Sequence, residues 1–260
     1  MLGGQASWDD IDAALDGRRE LLAQFVRRQS VQTNEVRRAW GLLPAFLSLD
    51  APRVDLVELG ASAGLLLALD RYDYRYRAGS FGNGADVLVL EGEDRGGPPA
   101  GLLGRRLDVG RRIGLDLDPV GLGEDGARLL EAFVWPDQRE RIERLRHAIA
   151  VARTCDIDLQ RGDYVDRLPA VLAGRRDDAL TVVFHSVSTM YLDDDRYAEL
   201  VEVLARAGAD GPLAWVSFEG PRHDPDYGGV ALDVTRWPGG QTQRLAKIDF
   251  HGAWLEWGAR

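Results

Sequence analysis

The chain is poor in residues that staple a fold or charge a surface. Its 260 residues include one cysteine, Cys155, so neither an internal disulfide framework nor a cysteine-built zinc site is available. A reducing, cytoplasmic setting is expected, and no metal site. Lys247 is the only lysine, which leaves arginine to carry nearly all positive charge; a codon bias toward arginine explains this more simply than selection for phosphate forks. Lysine and arginine total 32 against 42 acids, and the net charge of −10 argues against a surface that coats nucleic acid. No apolar run approaches the roughly 20 residues that span a bilayer, so no membrane partner is expected. Residues 1–30 lack the basic, apolar and cleavage regions of a secretory leader. What is present, 45% hydrophobic and 28% charged residues, is the make-up of a globular protein with a substantial core.

The richest stretch is Val54–Asp70, V-D-L-V-E-L-G-A-S-A-G-L-L-L-A-L-D. An apolar, β-branched run closes on an acid, Glu58. Gly60, Ser62 and Gly64 follow, and then a leucine-rich helical pattern. Strand, tight turn and helix N-terminus together bring backbone N–H groups up to a ligand, and small residues let it approach closely. Glu58 would repel a phosphate but suits a positive charge or an amine.

Ile11, Leu15, Leu22, Phe25 and Val26 recur at helical spacing, as do Val36, Trp40, Leu43, Phe46 and Leu47. Residues 1–50 therefore read as an N-terminal helical segment packed on the core. The polar stretch Arg27–Glu35 between these patterns either caps a helix through Ser30, Thr33 or Asn34 or reaches the rim of a site. Tyr72, Tyr74 and Tyr76 alternate with Asp73, Arg75 and Arg77, which predicts a strand forming a hairpin with Val87–Leu90 across Gly79–Gly84. With the Gly96–Gly104 loop this makes an insertion over residues 71–110. Further strands are predicted at 112–118, 158–163, Leu180–Phe184 and Leu213–Glu219. Helices are predicted at Glu124–Phe133, Gln138–Arg153, Leu168–Leu172 and Tyr197–Ala207. Val230–Trp237 and Gln243–Trp257 form a closing hairpin.

This alternation predicts an α/β domain over residues 51–260: a Rossmann-like, mostly parallel central sheet with a C-terminal antiparallel hairpin. Such sheets bind ligands beyond the carboxyl ends of their strands, where the winding reverses. Glu58, Asp116, Asp163 and His185 all fall at predicted carboxyl ends. On the 138–153 helix, Arg139, Arg141, Arg144 and Arg146 alternate with Glu140 and Glu143, which reads as a solvated, salt-paired face rather than an anion site. Trp135 and Tyr191 offer rings for stacking, but core packing is the simpler expectation for each. His251 is expected to pack within the closing hairpin.

Glu58-Leu59-Gly60-Ala61-Ser62-Ala63-Gly64 resembles the first motif of class I S-adenosylmethionine-dependent methyltransferases. Gly114-Leu115-Asp116-Leu117-Asp118-Pro119 resembles their second strand end, whose acid grips the ribose hydroxyls, with Asp118 as the fallback for Asp116. Arg161-Gly162-Asp163-Tyr164 resembles their third, whose acid accepts the adenine amine. The resemblance covers Val54–Trp257. It implies S-adenosylmethionine as cofactor, held by Glu58, Gly60, Ala61, Ser62, Gly64, Asp116, Asp163 and Tyr164, and a small-molecule methyl acceptor. Gln32-Thr33-Asn34-Glu35, the Glu58–Gly64 turn, Val134-Trp135-Pro136-Asp137-Gln138 and Val183-Phe184-His185-Ser186 further resemble a bacterial family catalogued as a domain of unknown function, whose members look like methyltransferases in fold. Gln32, Asn34, Glu35 and Tyr191 are then expected at the substrate rim. His185 is the candidate general base, since imidazole titrates near neutral pH. Two departures stand out. Ser62 replaces a glycine common in the motif, and Asp116 follows Gly64 by more than twice the usual spacing of about 20 residues, which an insertion would explain.

Three other readings remain open. Gly60-Ala61-Ser62-Ala63-Gly64 spells G-x-S-x-G, so Ser62 could be the nucleophile of an α/β-hydrolase, with His223 or His251 as base and Asp224 or Asp193 as orienter. A nicotinamide enzyme would need a third glycine where Leu66 and Leu67 stand. A methyltransferase-like fold could also bind the adenosyl cofactor without turnover and act through a partner. The sequence leaves the oligomeric state open.

Overall fold

The structure is a computed structural model that describes residues 7–28, 32–84 and 88–258; Ser30, expected as a cap, and Val87, expected to open a strand, lie outside them. The chain divides into two compact units, Met1–Thr33 and Asn34–Arg260. In the first, α1 (Trp8–Asp16) and α2 (Arg19–Arg28) are the expected N-terminal helices. Ser7 opens α1 with a capping box, its hydroxyl accepting from the Asp10 N–H while its own N–H donates to the Asp10 carboxylate.

The second unit begins with a short polar turn and α3 (Arg38–Ser48), most of whose residues are buried, so this helix belongs with the sheet. Neither Thr33 nor Asn34 caps it; the residue before α3 is Arg37, which makes no side-chain cap. Then come β1 (Val54–Leu59), a 3₁₀ helix (Leu65–Arg71), β2 (Asp73–Tyr76), β3 (Gly79–Phe81), β4 (Val89–Leu90), β5 (Glu93–Gly96) and the single turn α4 (Ala100–Leu103). The doubly wound half continues with β6 (Val109–Asp116), α5 (Glu124–Ala132), α6 (Arg139–Ala152), β7 (Asp158–Arg161), α7 (Tyr164–Ala173), β8 (Leu180–Ser186), α8 (Asp194–Ala209) and β9 (Leu213–Glu219). Last are β10 (Val230–Trp237), β11 (Gln241–Ile248) and β12 (Trp254–Trp257).

The main sheet runs β5-β12-β11-β10-β9-β8-β1-β6-β7. From β7 to β9 every pairing is parallel, and numbering those five strands along the chain gives the order 3-2-1-4-5 of a Rossmann-like sheet. From β9 onward the sheet becomes an antiparallel meander, so the expected closing hairpin is present as β10 and β11, extended by β12. The segment from 71 to 108 supplies what the long Gly64–Asp116 spacing required, but not as one hairpin. β2 pairs antiparallel with β3, whereas β4 lies parallel to β2 on its other side. β5 leaves this small sheet and pairs with β12 at the edge of the large one.

Both faces of the main sheet are covered, which is why β1 is buried along its whole length rather than on alternate residues. Val54, Leu56, Phe184, Val216 and Phe218 pack on the face of α3 and the 3₁₀ helix; Val57, Leu59, Val183 and Trp215 pack on the face of α7 and α8. The leucines after Gly64, expected to be helical, form a 3₁₀ helix. Two buried tyrosine hydroxyls hold its carbonyls, Tyr72 donating to Leu65 at 2.6 Å and Tyr74 to Leu69 at 2.5 Å. Arg112 on β6 forks onto Asp70 at 2.7 and 2.9 Å and fixes the helix end to the sheet.

Candidate functional site

The winding reverses between β1 and β8, and the candidate site is built on their carboxyl ends. Glu58 pairs in register with Phe184 and Leu59 with His185. Because neighbouring residues on a strand face opposite ways, this register places the two sequence-predicted ligand groups on opposite faces. Glu58 lies with Leu56 on the α3 face; His185 lies with Val183 on the α7–α8 face.

Glu58 is 3% exposed and its Oε2 has no hydrogen-bond partner among the described residues. Burial pushes its carboxyl well above the ordinary glutamate range, the Asp116 carboxylate pushes further, and the Arg38 guanidinium pulls back only in part. Arg38 is committed elsewhere: it donates to the Phe250 carbonyl at 2.9 Å and to the Ser186 carbonyl at 3.1 Å.

The turn after β1 is knitted to β6 rather than turned outward. Gly60 and Ala61 N–H groups donate to the Leu115 carbonyl, Ser62 N–H to the Asp116 carboxylate at 2.7 Å, and Gly64 N–H to the Ala61 carbonyl. Four of the amides expected to face a ligand are therefore engaged within the protein. Asp116 also accepts from the Asp118 N–H, and Asn34 donates its amide to the Ser62 hydroxyl at 3.0 Å. Ser62, Asp116 and Asn34 thus form one hydrogen-bonded group, with Glu58 within electrostatic reach of Asp116. Gly60 sits at φ 74° with a side chain excluded, since a Cβ there would collide with Ser188 Oγ from the loop after β8.

On the other face, His185 is 0% exposed. A carboxylate accepts, so its Nδ1–H points at Glu219 Oε2, 3.2 Å away, and Nε2 has no partner among the described residues. The same Glu219 oxygen accepts from Ser188 N–H, Thr189 N–H and the Thr189 hydroxyl, at 2.9, 2.9 and 3.0 Å. Burial alone would raise the Glu219 carboxyl; the His185 contact and the Ser188 and Thr189 donors outweigh it and hold the group below its ordinary value. These bonds fix a loop in which Val187 takes φ 53°, a left-handed conformation rare for a β-branched residue. Tyr164 adds a long 3.4 Å bond to the Ser188 carbonyl.

Asp163 stands apart from Glu58. It caps α7 by accepting the Val165 N–H at 2.8 Å and pairs with Arg196 on α8 at 2.9 Å. Asp163→Ala is expected to lower stability by about 1 kcal/mol through the lost cap, read by urea unfolding, with Asp163→Asn retaining most of it. Asp118, the fallback ribose ligand, pairs with Arg161 at 2.7 Å.

Glu35 is buried, at 5% exposure. Arg141 and Arg144 of α6 converge on it, with Nε atoms 2.9 and 3.4 Å from its carboxylate, and Arg37 donates its N–H to it at 3.1 Å. The solvated face expected for α6 holds for Arg139 and for Arg146, which forks onto Glu131, but not for these two arginines. A cavity of about 500 Å³ opens here, lined by Glu35, the first turn of α6 and the His251 turn. His251 lies in the exposed turn between β11 and β12, outside the strands where it was expected. Trp135, expected in the core, is 72% exposed; Tyr191, for which both core packing and a place at the substrate rim were expected, is 81% exposed. Tyr191 follows β8 on the Ser188 loop, within electrostatic reach of Arg38, and Trp135 sits on the loop leading into α6. Gln32 is half-buried and belongs to the first unit.

Sequence reasoning missed Arg38 and Glu219. Glu219 carried a usable signal, an acid closing an apolar strand as Glu58 does. Arg38 had only a faint one, a lone charge at the start of a helix that is otherwise apolar.

Sheet order defines an α/β domain of the Rossmann-like class, whose winding reverses between β1 and β8. The chain belongs to the DUF2332 family, described as an uncharacterized protein conserved in bacteria, whose profile matches residues 2–257. No curated protein matches it. Among solved structures it is similar to the methyltransferase domain of bacterial CtHen1, at 13% identity over 70% of this chain and 65% of that one, TM-score 0.30. It therefore spans just under two thirds of that structure. It is similar also to cofactor-bound Rv0187 from MTB, at 15% identity over 83% and 74%, TM-score 0.32. A third is the O-methyltransferase from Bacillus cereus in complex with SAH, at 11% identity over 83% and 68%, TM-score 0.30. At such scores the fold rests on the strand order, not on the superpositions. No helix among the described residues is long and apolar enough to cross a membrane, and no group of three or more His, Cys, Asp or Glu side chains among them could hold a metal ion.

Proposed function

We propose that the chain binds S-adenosylmethionine at the β1–β8 reversal and transfers its methyl group to a small molecule. One observation carries the reading: Glu58 Oε2, buried at the end of the first strand, lacks any hydrogen-bond partner among the described residues. A buried orphan acceptor is costly and rare in native folds, and an ammonium or sulfonium group is the complement that would relieve it. The donor set fits the cofactor. Glu58 would hold the α-amine, Asp116 the ribose hydroxyls and Asp163 the adenine amine. Each carboxylate oxygen has two lone pairs, so Asp116 and Asp163 keep capacity beyond their present bonds. The turn from Gly60 through Ala61 and Ser62 to Gly64 would face the amino-acid portion by shape, since most of its N–H groups are engaged, and Tyr164 supports the Ser188 loop behind it.

The sulfonium, when bound, supplies an activated methyl with a good leaving group. What the protein adds is alignment and exclusion of water. His185 is not given the part of base, because the sheet separates it from Glu58. That burial favours the second reading, a domain that binds the cofactor without turnover, which a methyl-release assay across small-molecule pools separates from the first.

The decisive test is calorimetric titration of the intact chain. S-adenosylmethionine and S-adenosylhomocysteine should release heat and NAD should not, with Asp163→Ala weakening the cofactor while leaving the fold intact. No heat from either adenosyl ligand refutes the reading. The hydrolase alternative predicts fluorophosphonate labelling of Ser62. Its hydroxyl accepts from the Asn34 amide, whereas an activated serine donates its proton to an adjacent base.

A further inference from the structure

The cavity beside α6 carries a charge imbalance that the cofactor reading does not use. Its floor is Glu35, Arg141 and Arg144, and the arginine side chains are only 18% and 19% exposed. Two guanidiniums share one carboxylate, which leaves one unit of positive charge unneutralised in a recessed position. The pairing is also poorly aligned. Among the described residues both Nε–H groups are buried without a hydrogen bond, and beyond Glu35 only Arg141 has a further acceptor, Gln138 at 3.0 Å. The terminal nitrogens of Arg144 take no hydrogen bond among the described residues. A planar fork with free donors and an uncompensated charge is matched by a bidentate carboxylate.

We propose that this cavity is the seat of the methyl acceptor, and that the acceptor is a small monoanion held through one carboxylate by Arg144 and Arg141. The proposal rests on the methyl-transfer reading for the word acceptor; the anion site itself does not. Arg37, Arg139, Arg141 and Arg144 stand against Glu35, Asp137 and Glu140 in the lining, so a single excess positive charge favours a monoanion. The volume of about 500 Å³ suits a metabolite-sized ligand. Position agrees as well. Arg38 lies within electrostatic reach of Glu35 and Arg141 of the cavity and also of Glu58 and Glu219, and its guanidinium touches Ser186 at the end of β8, so one buried side chain links the cavity to the strand ends.

The probes are 4-fluorobenzoate and its neutral counterpart 4-fluorobenzamide, followed by fluorine NMR on the intact chain. The acid should bind at least tenfold more tightly than the amide. Arg144→Gln should abolish that preference while S-adenosylhomocysteine affinity, measured by calorimetry, stays within twofold of the parent. If Arg144→Gln does not fold, Arg144→Lys, which keeps the charge and loses the fork, should weaken the acid at least threefold. Equal binding of acid and amide, no binding of the acid at ten millimolar, or a preference that survives at Arg144→Gln and Arg144→Lys overturns the site. Acid binding as described with no response to S-adenosylhomocysteine would leave the anion site standing and remove the methyl-transfer reading instead.

Discussion

Glu219→Ala is expected to cost about 3–5 kcal/mol of folding stability, the range for removing one partner from a buried charged network. One carboxylate oxygen receives four donors, from His185, Ser188 and Thr189, and alanine would leave these three buried residues with unanswered donors. The loss also frees Val187 from the contacts that hold its left-handed backbone. The effect has a pH signature. A carboxyl held below its unfolded value contributes stability that is complete above the ordinary glutamate range and disappears as pH falls through the lower, folded value. The parent should therefore lose stability toward acid more steeply than Glu219→Ala does. Urea unfolding at neutral and acidic pH measures both quantities. A neutral-pH loss under 1 kcal/mol would mean that the Ser188 loop stands without Glu219.

Glu58→Gln should act in the opposite direction. A buried carboxyl raised above its unfolded value costs nothing at low pH, where both states are protonated. The cost appears as pH rises through the unfolded value near 4.5 and grows until the folded group also ionises. Glutamine removes that dependence, so the variant should match the parent at pH 4 and exceed it by about 1–3 kcal/mol at pH 8, the scale of an unsatisfied buried polar group. The same change should weaken S-adenosylmethionine by tenfold or more, or about 1.4 kcal/mol. A residue that destabilises the free protein while serving the bound one is the ordinary pattern of a binding site. Higher stability with undiminished cofactor affinity would separate Glu58 from the ligand altogether.

Much of the parallel half of the fold was legible because β1, β8 and β9 are largely apolar runs with Glu58, His185 and Glu219 at or next to their carboxyl ends, as buried parallel strands are. Less could be read where distant parts of the chain decide. The leucines after Gly64 have high helix propensity, but Tyr72 and Tyr74 hydroxyls claim their carbonyls and leave a 3₁₀ helix. Charge alternation on α6 predicted solvent, because nothing local announces that Glu35, a century of residues earlier in the chain, would draw in two of its arginines. The site shows the same division. Positions of Glu58 and His185 at strand ends were plain from sequence, whereas their opposite orientation depends on the register of β1 against β8, which no local pattern encodes.

The pairing of β5 with β12 bears on how the protein is made. Glu93–Gly96 is made long before Trp254–Trp257, the strand it pairs with. The growing polypeptide carries that segment without its sheet neighbour until β12 has been made, and a product cut short after β11 would present two raw borders to other nascent chains.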